Sequence, residues 1–166
     1  MPDMRIVTAR PSDLGIITSI ARLTWPVAYS AILSAEQLAY MLDLFYSESA
    51  LTQQAAQGQH FLLITSDGMP VGFAGLEAHY RGAGTTRLHK LYVLPGQQGT
   101  GAGRALLQAV VEHARADGDA RIELNVNKYN PAKQWYERQG FRTVREEVIP
   151  IGQGYVMDDF VMELML

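Results

Sequence analysis

Apolar positions along this chain change their period several times, and each change marks a predicted element. Met4 to Ala9 reads as a short strand, stopped by Pro11. Leu14, Ile17, Ile20 and Ala21 then fall at helical spacing, with Ser12 or Asp13 as the cap. A second helix starts from Ser34 and puts Leu38, Met41, Leu42 and Phe45 on one face, and a third, shorter one covers Glu48 to Ala56. After these the pattern tightens to short apolar runs. His60 to Thr65 and Pro70 to Leu76 flank Asp67-Gly68, a hairpin signal. Thr85 to Val93 is a further strand, ended by Pro95-Gly96.

The clearest helix comes next. Ala102, Ala105, Leu106, Ala109, Val110 and His113 repeat at i, i+3, i+4, i+7, i+8 and i+11, and Gly118 is placed to close it. Ala120, Ile122, Leu124 and Val126 then alternate with Arg121, Glu123, Asn125 and Asn127, the period of a strand. Asn130-Pro131 opens the last helix, with Asn as cap and Pro at the first helical position, and Gly140 closes it. Strands at Phe141–Val148 and Tyr155–Leu164 finish the chain, joined by the turn Pro150-Ile151-Gly152-Gln153-Gly154. The succession predicts an α/β (α+β) fold, a single domain over residues 1–166 with a mixed sheet and helices on its faces.

Composition narrows the chemistry. With 48% hydrophobic and 19% charged residues the chain is globular in composition. A net charge of −3 argues against sequence-independent nucleic-acid binding and leans toward a cationic small substrate. Cysteine is absent, which excludes disulfides, thiolate metal sites and thiol catalysis, and no bound metal is expected. The start lacks a basic segment followed by a long apolar one, and no run has the length of a membrane span. A soluble, cytoplasmic protein without a membrane partner is the expectation.

The strand-to-helix turn Gln98-Gly99-Thr100-Gly101-Ala102-Gly103 carries the first functional signal. Glycines there let a ligand approach the backbone, and the free N–H groups of a helix start attract an anion. Phosphate or pyrophosphate binding is the prediction; a flexible turn with chance glycines is the plain alternative. A Walker loop requires Gly-Lys-Ser/Thr, but Gly103 is followed by Arg104-Ala105. The dinucleotide fingerprint fails as well, because its last position falls on Arg104 or Leu106, and Asn125-Val126-Asn127 puts no acid at the end of the next strand.

Gln98, Gly101 and Gly103, following Leu91-Tyr92-Val93-Leu94-Pro95, match Q/R-x-x-G-x-G/A and resemble the signature of the GNAT superfamily of N-acetyltransferases. The segment from Asn130 through Ala132 and Tyr136 to Gly140-Phe141 is similar to that family's N-x-x-A-x-x-x-Y-x-x-x-G-F, in the right order downstream. The resemblance implies a mostly antiparallel mixed sheet with helices on both faces, and acetyl-CoA as cosubstrate. It implies that the Leu91-Tyr92-Val93 backbone pairs with the pantetheine arm, that a backbone N–H there polarises the thioester carbonyl, and that Gln98, Gly99, Thr100, Gly101, Ala102, Gly103 and Arg104 cradle the pyrophosphate. Asn130 matches a capping Asn that also contacts the coenzyme, though capping alone explains it equally well. Tyr136 matches the general acid that protonates the departing thiolate; packing on the apolar helix face is the alternative.

The base departs from the family pattern. Many members carry a carboxylate six residues ahead of the position of Val93, where this chain has Arg87. However, Leu88-His89-Lys90-Leu91-Tyr92-Val93 resembles the L-H-x-L-x-V of arylalkylamine acetyltransferases, where a histidine acts through water. That makes His89 the first candidate, with Glu77 and Glu123 behind it and a hydrogen-bonded strand histidine as the alternative. For the acceptor, Trp25 and Tyr29 offer two aromatics on one side of a helix, and Asp158-Asp159 put two carboxylates in an apolar strand. Adjacent strand residues face opposite ways, so one of the two would hold a cationic amine, unless they mark an edge bulge. Trp25/Tyr29, the Asn125–Asn130 segment and the acidic pair are similar to the bacterial spermidine/spermine acetyltransferase branch. A polyamine is therefore one acceptor and a peptide N-terminus another; a non-catalytic acyl-CoA-binding domain is the rival class. A homodimer is common in the family.

Overall fold

The computed structural model describes residues 1–82 and 84–166, and arranges them as five helices on the two faces of one seven-stranded sheet. The strands are β1 (Met4–Thr8), β2 (His60–Ser66), β3 (Met69–Glu77), β4 (Thr85–Val93), β5 (Arg121–Asn127), β6 (Arg142–Gly152) and β7 (Tyr155–Met165). The helices are α1 (Leu14–Tyr29), α2 (Ala35–Tyr46), α3 (Glu48–Ala56), α4 (Ala102–Ala116) and α5 (Ala132–Arg138). Strand order is β1-β2-β3-β4-β5-β7-β6, and every neighbouring pair is antiparallel except β4 with β5. That parallel pair requires a crossover, which α4 supplies. The mixed, mostly antiparallel sheet expected from the sequence is what forms.

Each face of the sheet buries its own core. One lies under α4 and α5, built on Leu62, Leu76, Leu106, Val110, Leu124 and Met162. The other lies under α1, α2 and α3 and is rich in rings: Trp25, Tyr29, Tyr46, Phe61 and Phe73. On α4 the buried stripe is Ala102, Leu106, Leu107, Val110, Val111 and Ala114, about one position round from the stripe read from the sequence. A sheet is broad, so it covers residues on both sides of a narrow helical line. Gly118 (φ 81°) closes α4 as expected, with the Asp119 N–H returning to the Ala114 carbonyl at 3.0 Å. Leu106 is 0% exposed at the centre of this face. Leu106→Ala is expected to lower unfolding free energy by about 2–5 kcal/mol, measured by chemical denaturation.

The structure corrects three local expectations. Asp13 stands at the N-cap of α1 but its side chain does not cap the helix: a 3₁₀ turn, Pro11–Asp13, precedes it, and Asp13 Oδ2 accepts the Arg10 N–H at 2.8 Å. β6 runs on through Pro150 and Ile151 to Gly152, because it is an edge strand where a residue without an N–H costs no ladder bond. The turn is thereby confined to Gly152, Gln153 and Gly154, all at positive φ. Third, the Asp158-Asp159 pair is no bulge: the register runs unbroken from Val148↔Asp158 to Glu147↔Asp159.

Strand β4 is irregular on both of its edges. Gly75 pairs with Lys90 and Leu76 with Leu88, so His89 is an extra residue, a β-bulge. On the other side β4 pairs with β5 only at Thr85↔Arg121, Thr86↔Ile122 and Arg87↔Glu123. Beyond Arg87 the two strands separate.

Candidate active site

The separation of β4 from β5 opens a crevice of about 50 Å³, walled by Leu88, Leu91, Leu124, Val126, Asn130 and Tyr136. The backbone of β4 facing it has no strand partner, and the bulge at His89 leaves one further residue outside the ladder. The glycine-rich turn stands at one end of this crevice, since a Cβ on Gly103 would meet Trp135 at 3.6 Å and Val93 at 3.8 Å. Gly99 (φ 79°) and Gly101 (φ 91°) adopt the left-handed conformation, and no protein atom lies within 4 Å of where a Cβ would stand on either. Gly101 is the N-cap of α4, and the first helical bond runs from the Ala105 N–H to its carbonyl. The N–H groups of Ala102, Gly103 and Arg104 therefore precede the first helical donor and remain for a ligand. Gln98 and Thr100 are exposed, and the Thr100 hydroxyl donates to the Gln97 carbonyl at 2.6 Å.

Tyr136 packs edge-on against Trp135 and Phe141, and its hydroxyl has no hydrogen-bond partner among the described residues. Burial, with Tyr29 adding to it, pushes the phenol above its usual value, so it stays protonated throughout the physiological range. The Tyr29 hydroxyl lies 2.8 Å from that of Tyr92 and accepts from Asn130 Nδ2 at 3.3 Å. Asn130 Oδ1 accepts the Ala132 N–H at 2.9 Å, so one side chain caps α5 and ties it to α1. The Tyr92 ring turns away from the crevice into the ring-rich core, beside Trp25, Tyr46 and Phe73, which leaves its backbone for any contact with a ligand.

A second cavity, of about 310 Å³, shares Tyr29, His89, Lys90, Tyr92 and Asn125 with the crevice. Trp25 and Tyr29 line it together, their centroids 4.6 Å apart, on one side of α1 despite Pro26. The β6–β7 hairpin closes one end, held to α2 by Gln37 Nε2 donating to the Val156 carbonyl at 3.1 Å and by the Tyr40 hydroxyl donating to the Ile151 carbonyl. Of the two adjacent carboxylates Asp159 lines the cavity, 5% exposed, and accepts from Asn125 Nδ2 at 3.2 Å. Burial raises its pKa. Asp158 points the other way and pairs with Lys128 at 3.1 Å, so it leaves the candidate acceptor site.

The three base candidates have different fates. Glu123 is bound to Arg87 at 2.8 Å and Arg145 at 3.5 Å. Glu77 Oε1 lies 3.0 Å from His89 Nε2, and His89 alone of the three faces the cavity. Burial pushes the His89 imidazole down to about 3, with repulsion from Lys90 and Arg87 adding to it. The ring is therefore neutral at physiological pH.

Lys90 is the cavity residue that sequence reasoning missed. Strand alternation would turn it away from His89, but the bulge presents both to the same cavity. No periodicity signals a one-residue insertion. Three contacts hold its ammonium, Gln59 Oε1 at 3.2 Å and the ring faces of Tyr46 and Phe61 at 5.5 and 5.8 Å. Burial lowers its pKa to about 7.

The family model described as an acetyltransferase (GNAT) domain matches residues 30–157. The chain belongs to the GNAT acetyltransferase family. It is accordingly an acyltransferase, an acetyl-CoA-dependent N-acetyltransferase. A GNAT relative from Mycobacterium bovis, named an uncharacterized N-acetyltransferase, is 30% identical over 154 residues, 91% of this chain and 96% of that one. The fold is also that of the PaiA N-acetyltransferase from Thermoplasma acidophilum, solved in complex with coenzyme A. That match has a TM-score of 0.82 and 24% identity and covers 99% of each chain. The Escherichia coli ribosomal-protein-S18-alanine N-acetyltransferase shares the fold at a TM-score of 0.73 and 21% identity, over 98% of this chain and 94% of that one. Among the described residues of this GNAT chain there is no cluster of metal-ligating side chains and no helix long and apolar enough to cross a membrane.

Proposed function

We propose that this acetyltransferase moves the acetyl group of acetyl-CoA directly onto a primary amine within one ternary complex. The observation that carries the reading is the shared wall of crevice and cavity at Tyr29, His89, Lys90, Tyr92 and Asn125. A thioester in the crevice and an amine in the cavity would meet there. The chain has no cysteine to hold the acetyl group in between. Coenzyme A in the PaiA structure supports the same donor here.

In this reading the N–H groups of the Gln98–Arg104 turn hold the pyrophosphate, with the positive end of α4 behind them. The free backbone edge at Leu91, Tyr92 and Val93 pairs with the pantetheine arm, and an unpaired N–H at the bulge polarises the thioester carbonyl. Asn130 holds the α5 start against this arm. An alkylammonium, with a pKa near 10.4, must lose a proton before its lone pair can attack. The His89–Glu77 pair takes that proton. The nitrogen then bonds to the carbonyl carbon, the carbon–sulfur bond breaks, the departing thiolate takes the Tyr136 phenol proton, and the second proton that the nitrogen sheds on becoming an amide returns to Tyr136.

The rings of Trp25 and Tyr29 and the carboxylate of Asp159 support a cationic acceptor, of which a polyamine is one. Lys90 in the same wall favours a second reading, an amine that also bears an anion. Thiol release from acetyl-CoA over a panel of spermidine, spermine, lysine, arylalkylamines and a short peptide tests the proposal. Release above the hydrolysis blank with at least one amine is expected; release with none overturns it.

A further inference from the structure

Three charged side chains are buried among the described residues; Asp119 is fully partnered, whereas Asp159 and Lys90, which line the same cavity, each have a single neutral amide. Asp119 accepts from the His79 N–H and the Thr86 hydroxyl, each at 2.8 Å, and Asp159 accepts from Asn125. Lys90, 7% exposed, has only the neutral amide of Gln59 and two ring faces. Lys128 and Lys133, by contrast, reach carboxylates at 3.0 and 3.3 Å. A buried ammonium without an anion is costly, and burial lowers its pKa to about 7 for that reason. A docked anion would restore its charge.

The rest of the cavity wall also carries unpartnered polar atoms. On β4, beside Lys90, the Arg87 Nε is buried without an acceptor, although its Nη1 pairs with Glu123. Across the crevice, on β5 and β7, stand the acceptors: the buried and unpartnered Oδ1 of Asn125 and the carboxylate of Asp159. His89 is neutral, its Nε2 already spent on Glu77, and Tyr29, Tyr46 and Tyr92 are held protonated by burial. Lys90 and Arg87 therefore offer N–H donors and Asn125 and Asp159 offer acceptors, in a wall that also holds the unpartnered Gln54 Oε1 and Trp25 Nε1.

We infer that the acceptor is an amino-acid-like primary amine, whose carboxylate is held by Lys90 while its ammonium enters on the Asp159 and Asn125 side. This rests on the proposed transfer of acetyl to an amine. Lys90 is then the residue that determines specificity. The volume of about 310 Å³ suits a single such molecule better than a folded polypeptide terminus.

Matched pairs differing only in the carboxylate test this: lysine against cadaverine, and tryptophan against tryptamine. The intact enzyme is expected to give kcat/KM roughly 10- to 100-fold higher with the amino acid of at least one pair, the scale of a charged hydrogen bond. Lys90→Met should abolish that ratio by lowering the amino-acid value far more than the amine value, and Lys90→Arg should retain most of it. Lys90→Gln serves if the Met variant melts well below wild type. A wild-type preference for the decarboxylated member of both pairs, or for spermidine over every amino acid tested, overturns the inference, as does an equal loss on both members of the preferred pair in Lys90→Met. If wild type acetylates none of these compounds, acetyl transfer to amines is what fails. Calorimetric binding of lysine and cadaverine to the coenzyme A complex then decides the carboxylate preference independently.

Discussion

Tyr136→Phe is expected to lower kcat by about 100-fold or more, the usual contribution of a positioned acid, with KM for acetyl-CoA and Tm near their wild-type values. The substitution removes one oxygen and keeps the ring, which makes the contacts to Trp135 and Phe141. The hydroxyl has no protein partner among the described residues, so no buried group is stranded by its loss. What disappears is a proton aimed into the crevice between β4 and β5. The leaving thiol has an ordinary pKa of about 8.5, below a phenol's at about 10, and burial widens the gap. In the proposed mechanism the transfer would run uphill and would require the phenol to be held at the sulfur itself. Steady-state kinetics checks the split: an unchanged kcat removes Tyr136 as the acid.

Gly101→Val is expected to abolish coenzyme binding, seen as loss of the melting-temperature rise that coenzyme A gives wild type. Gly101 sits at φ 91° as the N-cap of α4, a conformation a β-branched residue avoids. Strain of about 1–3 kcal/mol results, and relieving it rotates the N–H groups of Ala102, Gly103 and Arg104 away from the ligand. The added methyls also occupy space that no protein atom fills. Gly118→Val is the control. Gly118 lies at the far end of α4 with φ 81° and equally open surroundings, so it should cost similar stability and leave coenzyme binding intact. A normal response in Gly101→Val would place the pyrophosphate elsewhere.

Part of the candidate site was legible in the sequence because its signals are local. The spacing of Gly99, Gly101 and Gly103 before an amphipathic helix marks a backbone that must turn through positive φ into a helix start, and it does. Asn130-Pro131 marks a helix start, and Asn130 caps it. That start sets the phase of α5 and so aims Tyr136 at the crevice. His89 was visible as a residue type, but its partner Glu77 and its depressed pKa arise only where β3 lies beside β4.

Other features depended on strand register. Alternation along β7 required that one of Asp158 and Asp159 face inward; pairing with β5 and β6 made it Asp159. The extension of β6 through Pro150 depended on its being an edge strand, a fact about sheet order. Lys90 was hidden altogether, because the inserted His89 reverses the alternation that would have pointed it away from the cavity.

The sequence by itself determined the element order, the family and the glycine-rich turn into a helix start, because period, caps and glycine conformations are properties of neighbouring residues. Tertiary structure alone decided where β4 and β5 part, which carboxylate faces the cavity and that Lys90 lies buried without an anion. Those outcomes depend on pairing between strands distant in the chain, where a single bulge inverts the direction of every side chain beyond it.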